Sequence, residues 1–438
     1  MLMNNSINWD AVTAEATTML SDYIRFPSVN PPGDEVEATA FLRGLLAGEG
    51  IESTVYDAGN KRVSMAARLE GEGDLKPLVL LNHSDVVPVQ EEYWTVEPFA
   101  GMVRDGQVWG RGALDMKGMA VMELMAFLLI KRSAIQLRRP IVFLAVADEE
   151  AGGAWGIEWL DKHHPELLDA EWVINEGAYG FLNLMGQERP AFAFCPAEKT
   201  PLWLTVRATG PAGHGSMPLR NSAPVKLTRT LQRINEWARE PRILPTMADF
   251  FEGLVKAELL ADKPAVTDIA KMAERMPALR AMTSDTISLT TSNYGVKINV
   301  IPAIAEATLD CRLLPDRDPE EFLAELRAVI DDASVEIETL FVSPSGLSGT
   351  NNELIREARS VTRELVEDSL FLPMISPGFT DSRTFRARGI PAYGFGPGFL
   401  RPEEQATIHG HDERISIENL RLGTQVLFEL VRRLCAVS

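Results

Sequence analysis

The residues of this sequence best suited to chemistry are carboxylates and imidazoles placed beside apolar runs. His83 follows PLVLLN, and the acidic run 148–150 (DEE) follows IVFLAVA. Glu176 follows WVIN, while Asp115 lies in GRGALDMKG and His409 in IHGHDER. Adjacent carboxylates raise each other's pKa unless a cation neutralises them. The pattern therefore predicts either a metal site or a tuned acid–base group.

The apolar runs indicate how these side chains come together. Continuous apolar runs are typical of strands buried on both faces, and here they alternate with segments of helical periodicity. That alternation predicts an α/β layer with helices on both sides of a sheet. In such sheets ligands gather outside the carboxyl ends of the strands, where His83, Glu149, Glu150 and Glu176 are expected. Mixed imidazole and carboxylate ligands without thiolates suit zinc in an open site.

The pattern changes after Cys195, which predicts a second domain. LWLTVRATG (202–210) alternates with period two, as do 286–289 and 305–313, and helical segments are predicted at 224–240, 249–282 and 319–332. A β-α-β-β-α unit inserted into a larger domain accounts for this block. We therefore predict a catalytic domain of residues 1–197 and 346–438 and an inserted lid and dimerisation domain of residues 198–345.

Composition narrows the class of protein. The 438 residues carry 62 Asp and Glu against 43 Lys and Arg, a net charge of −19 that disfavours nucleic-acid and membrane partners. Three cysteines without CxxC spacing indicate a reducing compartment. Residues 1–10 lack a basic and apolar leader, and the apolar stretch 119–130 is too short to cross a bilayer. A cytoplasmic enzyme is expected.

Six motifs carry a resemblance to a known family. HSDVVP, GRGALDMKG, DEE before AGG, NEG, GPAGHGSMP and IHGHDER occur in the order seen in the metallopeptidase family of aminoacylase, glutamate carboxypeptidase, acetylornithine deacetylase and succinyl-diaminopimelate desuccinylase. The sequence resembles this family over nearly its whole length. The resemblance implies a zinc-exopeptidase-like catalytic domain, with a mixed α/β sheet and helices on both faces, plus an inserted α+β lid.

The resemblance also implies a ligand set for two divalent metal ions, with zinc expected and Co²⁺ or Mn²⁺ as alternatives. His83 and Glu176 hold one ion, His409 and Glu150 hold the other, Asp115 bridges both, Glu149 is the general base and Asp85 orients the His83 imidazole. The peptide bond after Asp115 is often cis in this family.

Two choices in this set depend on register. Spacing alone does not rank His409 against His411; the family pattern of His, three residues and Glu favours His409 with Glu413. The base and ligand in DEE are Glu149 and Glu150 if the family's pair directly precedes the Gly-containing segment, and Asp148 and Glu149 in the other register.

Further residues match positions in the family that bind substrate. His214 in GPAGHGS matches a lid histidine that stabilises the oxyanion and is often donated by the other subunit, which implies a homodimer through the inserted domain. Asn299 and Arg312 match lid positions that contact a substrate carboxylate or the oxyanion, although an alternating strand can equally carry Arg312 on a solvated face. Gly378 and Thr380 resemble a substrate-carboxylate loop.

The predicted function is metal-dependent hydrolysis of amide bonds in N-acyl amino acids or short peptides with a free carboxylate, of the aminoacylase or carboxypeptidase type. Glu149 takes the proton of the attacking water. One alternative is a two-metal aminopeptidase, which recognises a free amino terminus. The other is a non-catalytic binding protein that retains the fold, whose expected sign is a lost ligand or base; no such loss is present in the sequence.

Overall fold

The computed structural model describes residues 7–184, 186 and 188–437. The prediction that residues 1–10 form no leader rests partly on residues 1–6, which lie outside the described residues. No helix of the described residues is both long enough and apolar enough to cross a membrane.

Helices and strands alternate along most of the chain. The helices are α1 (Trp9–Ile24), α2 (Val36–Gly48), α3 (Lys117–Arg132), α4 (Ile157–His163), α5 (Ala223–Glu236), α6 (Pro245–Lys256), α7 (Val266–Ala273), α8 (Pro277–Thr283), α9 (Pro319–Ile330), α10 (Glu353–Leu365), α11 (Ser382–Ala387), α12 (Pro402–Gln405) and α13 (Ile417–Cys435). The strands are β1 (Ser53–Gly59), β2 (Arg62–Leu69), β3 (Leu78–His83), β4 (Met102–Arg104), β5 (Gln107–Trp109), β6 (Ile141–Val146), β7 (Trp172–Phe181), β8 (Ala191–Glu198), β9 (Thr200–Thr209), β10 (Gly213–His214), β11 (Thr286–Tyr294), β12 (Val300–Ile301), β13 (Ile304–Leu313), β14 (Val335–Val342), β15 (Leu370–Ser376), β16 (Ala392–Leu400) and β17 (Arg414–Ser416).

The larger sheet is mixed and has the strand order β1-β2-β6-β3-β7-β16-β8-β15. At its centre, β6 pairs with β3, β3 with β7 and β7 with β16, and all three pairs are parallel. Helices α1, α2, α3, α10 and α13 bury one face, and α4 and α11 bury the other. The predicted α/β sheet with helices on both faces is therefore confirmed. Every residue of β3 and β6 is buried, as their continuous apolar runs predict.

Strand β7 differs from the prediction, because it does not end at Glu176. It pairs with β3 only as far as Ile174 and then continues beside β16 to Phe181. Gly177, at φ +135°, lies at this divergence, where a side chain at Gly394 would collide with the Glu176 carbonyl. Glu176 thus lies at the point where β7 separates from β3.

The smaller sheet has the order β11-β13-β9-β14, with all neighbours antiparallel. Helices α5 and α9 pack on one face and bury the alternating apolar residues of β9 and β13. This is the predicted β-α-β-β-α unit with an additional strand, β14. The strands of this sheet come from 200–342 and those of the larger sheet from 53–198 and 370–400; the domain boundaries drawn from the sequence stay a prediction.

The long helical region predicted at 249–282 is helical but not continuous, because it is divided into three short helices, α6 to α8. Pro264 lies between α6 and α7, and Pro277 begins α8, and a proline inside a helix removes a hydrogen bond and clashes with the preceding turn. Phe250 and Leu254 of α6 pack in one cluster with Leu370 and Leu372 of β15. These helices therefore cover the β15 edge of the larger sheet.

Candidate active site and metal centre

Five of the predicted ligands form two groups that share Asp115. Asp115 Oδ1 lies 3.2 Å from His83 Nε2, and Asp115 Oδ2 lies 2.9 Å from His409 Nε2. Glu176 Oε1 is 3.4 Å from His83 Nε2, and Glu150 Oε2 is 3.3 Å from His409 Nε2. In each group the potential ligand atoms all lie within 4.8 Å of one another. The arrangement matches two neighbouring cation sites bridged by one carboxylate.

Each of these side chains lies at the end of an element or in a loop. His83 is the last residue of β3, Glu150 lies in the single 3₁₀ turn after β6, and Glu176 lies where β7 leaves β3. Asp115 lies two residues before α3 begins, and the Asp115–Met116 peptide is cis, as the resemblance implied. His409 lies between α12 and β17, in the left-handed region at φ +57°. Five separate chain segments therefore contribute the site.

Asp85 holds both the imidazole and the loop that carries Glu149. Its carbonyl is 3.0 Å from His83 Nδ1 and its carboxylate Oδ1 is 3.4 Å from the same nitrogen. The backbone N–H groups of Glu149 and Glu150 donate to the Asp85 carboxylate at 3.2 and 3.1 Å. Fixing His83 Nδ1 leaves Nε2 directed at Asp115 and Glu176.

The two alternative site residues that the sequence left open, Asp148 and His411, contact other residues. Asp148, at φ +69°, forms an ion pair with Arg62 at 3.0 Å and accepts the Trp155 N–H at 2.8 Å. The His411 ring packs on Tyr93, with ring centroids 5.1 Å apart. Neither residue belongs to the two groups found among the described residues. His163 stacks on Trp159 and His164 packs against the same ring at a tilt, and neither belongs to these groups.

One ion pair that supports the site was given no role by the sequence. Arg111 donates to Glu413 at 2.6 Å and to the Gly410 carbonyl at 2.8 Å, and both side chains are buried. The other Glu413 oxygen accepts the N–H groups of Leu114 and Asp115 at 2.8 and 3.0 Å. The pair thus ties the Asp115 loop to the His409 loop. The sign of this pair in the sequence was a Glu that follows His409 after three residues. It identified Glu413 but not Arg111.

The charges in this cluster require compensation. Burial raises the pKa of Glu176 to about 8 and that of Glu150 to about 7, and neighbouring Asp115 adds to both shifts. Burial also raises the pKa of Glu149 well above its ordinary value. Burial opposes ionisation of Asp115 too, but hydrogen bonds from His409 and His83 outweigh it and lower its pKa. Glu150 Oε1 is buried without a hydrogen-bond partner among the described residues. These carboxylates fit divalent cations, which supply the missing positive charge.

His214, which the sequence predicts to be a lid histidine, is not joined to the two ligand groups in the described part of the chain. His214 is exposed at the end of β10, and its Nδ1 lies 2.8 Å from the Ser216 hydroxyl. The neighbouring Gly215 N–H donates to the Asn299 carbonyl at 2.9 Å, so His214 and Asn299 share the β10–β12 ribbon. No hydrogen bond or ion pair of the described residues connects either residue to Asp115 or its neighbours.

The predicted carboxylate-binding residues divide into two kinds. Arg312 is half-buried and its guanidinium lies 5.1 Å from the ring centroid of Phe379, next to Gly378. Thr380 is buried, and both its hydroxyl and its N–H donate to Glu198, at 2.6 and 3.1 Å. An internal carboxylate thus occupies both Thr380 donors in this conformation, and substrate binding by Thr380 stays a prediction.

Two known proteins are similar to this chain over most of its length. The chain is 30% identical over 449 residues to an N-fatty-acyl-amino acid synthase/hydrolase from Mus musculus, covering 94% of this chain and 86% of that protein. It is 29% identical over 430 residues to aminoacylase-1 from Sus scrofa, covering 96% of both.

The fold has solved counterparts as well. A metallo-carboxypeptidase from Sulfolobus solfataricus superimposes with a TM-score of 0.73 at 20% identity, covering 95% of this chain and 98% of that one. The sequence model described as "Peptidase family M20/M25/M40" matches residues 79–433, which is most of the chain. A match of this extent, together with the relatives above, establishes that the chain belongs to the M20/M25/M40 peptidase family.

Proposed function

We propose that the protein hydrolyses the amide bond of N-acyl amino acids or short peptides with a free carboxylate, with Glu149 as the general base. Members of this family are hydrolytic enzymes, so the open question is the substrate and the residue roles. The observation that carries the proposal is the pair of ligand groups sharing Asp115, with buried Glu149 beside them and outside both. A carboxylate in that position is free to exchange protons.

Two divalent cations complete the site in this proposal. His83, Glu176 and Asp115 hold one ion, and His409, Glu150 and Asp115 hold the other. When bound, the ions polarise the scissile carbonyl and lower the pKa of a water molecule. We propose zinc, with Co²⁺ or Mn²⁺ as alternatives, because the ligands are imidazoles and carboxylates. A cytoplasmic location is also proposed, supported by three buried cysteines that form no disulfide.

The protein's own groups then move the protons. Glu149 accepts a proton as the water oxygen bonds to the acyl carbon. It then delivers that proton to the amide nitrogen as the carbon–nitrogen bond breaks, which releases an acid and an amino acid. His214 donates to the oxyanion formed in between, and Arg312 pairs with the substrate carboxylate. No bond between the enzyme and the acyl group is needed.

A paired assay tests this function against its alternatives. The purified protein loaded with Zn²⁺ is expected to hydrolyse N-acetyl amino acids and to leave amino-acid anilides intact, measured as released free amine. Cleavage of the anilides alone would identify an aminopeptidase. Binding of N-acetyl amino acids without turnover, at two metal ions per chain, would identify a non-catalytic binding protein.

We also propose a homodimer in which His214 serves the partner subunit's metal site. The support is an apolar surface beside His214: Val296 and Ile298 are fully exposed in the loop after β11, and Tyr294 and Val300 are about half exposed. β11 is an edge strand of its sheet. Monomers rarely leave such a contiguous apolar patch open to water, and an unpaired edge strand invites a second strand.

Subunit mixing tests this arrangement. Glu149→Gln and His214→Ala are each expected to be nearly inactive alone. After mixing and re-equilibration, about half the dimers are mixed, and each holds one intact composite site, so recovery of about a quarter of the activity is expected. Ile298→Asp in both chains should prevent the recovery, with a smaller mass in solution. Absence of recovery between chains shown to exchange would contradict the shared site.

A further inference from the structure

Three aromatic rings form a cluster that joins the two sheets. Trp203 of β9 and Phe341 of β14 have ring centroids 5.0 Å apart, and Phe379, in the loop after β15, lies 6.3 and 5.8 Å from them. Trp203 is 36% exposed, and the other two rings are half-buried. Trp203 lies on the face of the smaller sheet opposite α5 and α9, since its neighbours Leu202 and Leu204 are buried against those helices. The cluster, named here the aromatic cluster, is therefore open on one side.

The aromatic cluster directly adjoins the loop that carries the general base. A Cβ atom added at Gly152 would lie 3.6 Å from the Phe341 ring, so this ring contacts backbone two residues after Glu150. Buried Arg383 fixes the contact: it donates to the Gly152 carbonyl at 2.6 Å and to the Ser343 hydroxyl at 2.8 Å. The same guanidinium lies 5.2 Å from the centroid of Phe379. Buried Arg383 thus links two of the rings, Phe341 and Phe379, to the loop that follows Glu149 and Glu150.

Arg312 borders the aromatic cluster on the lid side. Asp310 accepts from Arg312 Nε and Nη2 at 2.7 and 3.0 Å and also from Trp203 Nε1 at 3.1 Å. The guanidinium is held over Phe379 in this way, and its Nη1 has no hydrogen-bond partner among the described residues. An arginine with one edge fixed and another edge available suits a carboxylate ligand.

We propose that Trp203, Phe341 and Phe379 bind the side chain of the released amino acid and select large apolar side chains. This inference rests on the proposed function, in which Arg312 pairs with the substrate carboxylate. In an N-acyl amino acid the carboxylate and the side chain share the Cα atom, whereas the acyl group lies beyond the scissile nitrogen. A surface next to the carboxylate partner therefore meets the side chain, and rings of this size favour apolar and aromatic groups.

The test compares kcat/KM for N-acetyl-phenylalanine, N-acetyl-alanine and N-octanoyl-alanine. Wild-type protein is expected to favour N-acetyl-phenylalanine over N-acetyl-alanine by about 100-fold, as several buried carbon atoms allow. Trp203→Ala and Phe341→Ala should lower the value for N-acetyl-phenylalanine about tenfold more than for either alanine substrate, mostly through KM. Trp203→Phe retains a ring and should restore most of the preference. The aromatic control is Tyr56→Ala, which removes a ring that meets His164 edge-on elsewhere in the fold.

The possible outcomes distinguish a failure of this inference from a failure of the proposed function on which it rests. Equal losses on all three substrates, or a loss confined to N-octanoyl-alanine, overturn the inference: the rings are then packing groups or an acyl site. A wild-type protein that hydrolyses all three without preference overturns it as well and leaves the proposed function intact. A wild-type protein that holds its metals and hydrolyses neither these three substrates nor a dipeptide with a free carboxylate rejects the proposed function itself.

Discussion

Glu149→Gln is expected to lower kcat by about 1,000-fold while leaving two metal ions per chain, because a general base contributes between about 100- and 10,000-fold. Gln has nearly the same shape but cannot accept the proton of the attacking water at neutral pH. Glu149 belongs to neither ligand group, so its replacement removes no metal ligand. Steady-state rates on an N-acetyl amino acid, together with metal content, measure both parts of the prediction.

The matched control for this substitution is Glu92→Gln, the same chemical change at an exposed position outside the site. It should retain wild-type rates and metal content. Activity of Glu149→Gln within tenfold of wild type would refute the assigned base. Loss of metal in Glu149→Gln would instead make Glu149 a ligand, which would support the register in which Asp148 and Glu149 form the functional pair.

The strand-end residues were predictable because their positions follow from burial. β3 is apolar from Leu78 to Leu81 and β6 is apolar throughout, so both strands must lie inside the sheet, and parallel strands carry the residues after these runs to one edge. His83 and Glu150 therefore meet by a rule of fold geometry. Asp115 and His409 lie in loops without such a pattern, and their place in the site came from the family resemblance.

The remaining features depend on contacts between distant segments, which local pattern does not encode. The Arg111–Glu413 ion pair joins residues 302 positions apart, and neither residue alone marks a metal site. In the described cluster His409, whose backbone is left-handed, lies beside Asp115, whereas the His411 ring packs on Tyr93. Thr380 looked available in the sequence, whereas Glu198, 182 positions away, accepts both its donors.

Asp115→Asn is expected to weaken both metal sites at once, since Asp115 is the one residue that the two described groups share. The neutral amide has a single good acceptor oxygen and no charge to offset two cations. We expect metal affinity to fall by at least about 10- to 100-fold and activity to fall with it. Glu176→Gln, which alters only the His83 group, is the comparison and should retain more of one ion. Metal content after dialysis and titration of metal-free protein with Zn²⁺ measure both variants.

The pH dependence of that titration provides an independent check on the bridge. In metal-free protein burial raises the pKa of Glu176 to about 8 and that of Glu150 to about 7, while the hydrogen bonds that His409 donates to Asp115 and Glu150 raise its pKa to about 10. The metal-free state therefore holds protons that a cation must displace, so affinity should rise from about pH 6 to about pH 10 in wild type. Asp115→Asn removes a carboxylate that raises all three pKa values, which should lessen this rise. If Asp115→Asn instead lost one ion and kept the other at wild-type affinity, Asp115 would not bridge the pair.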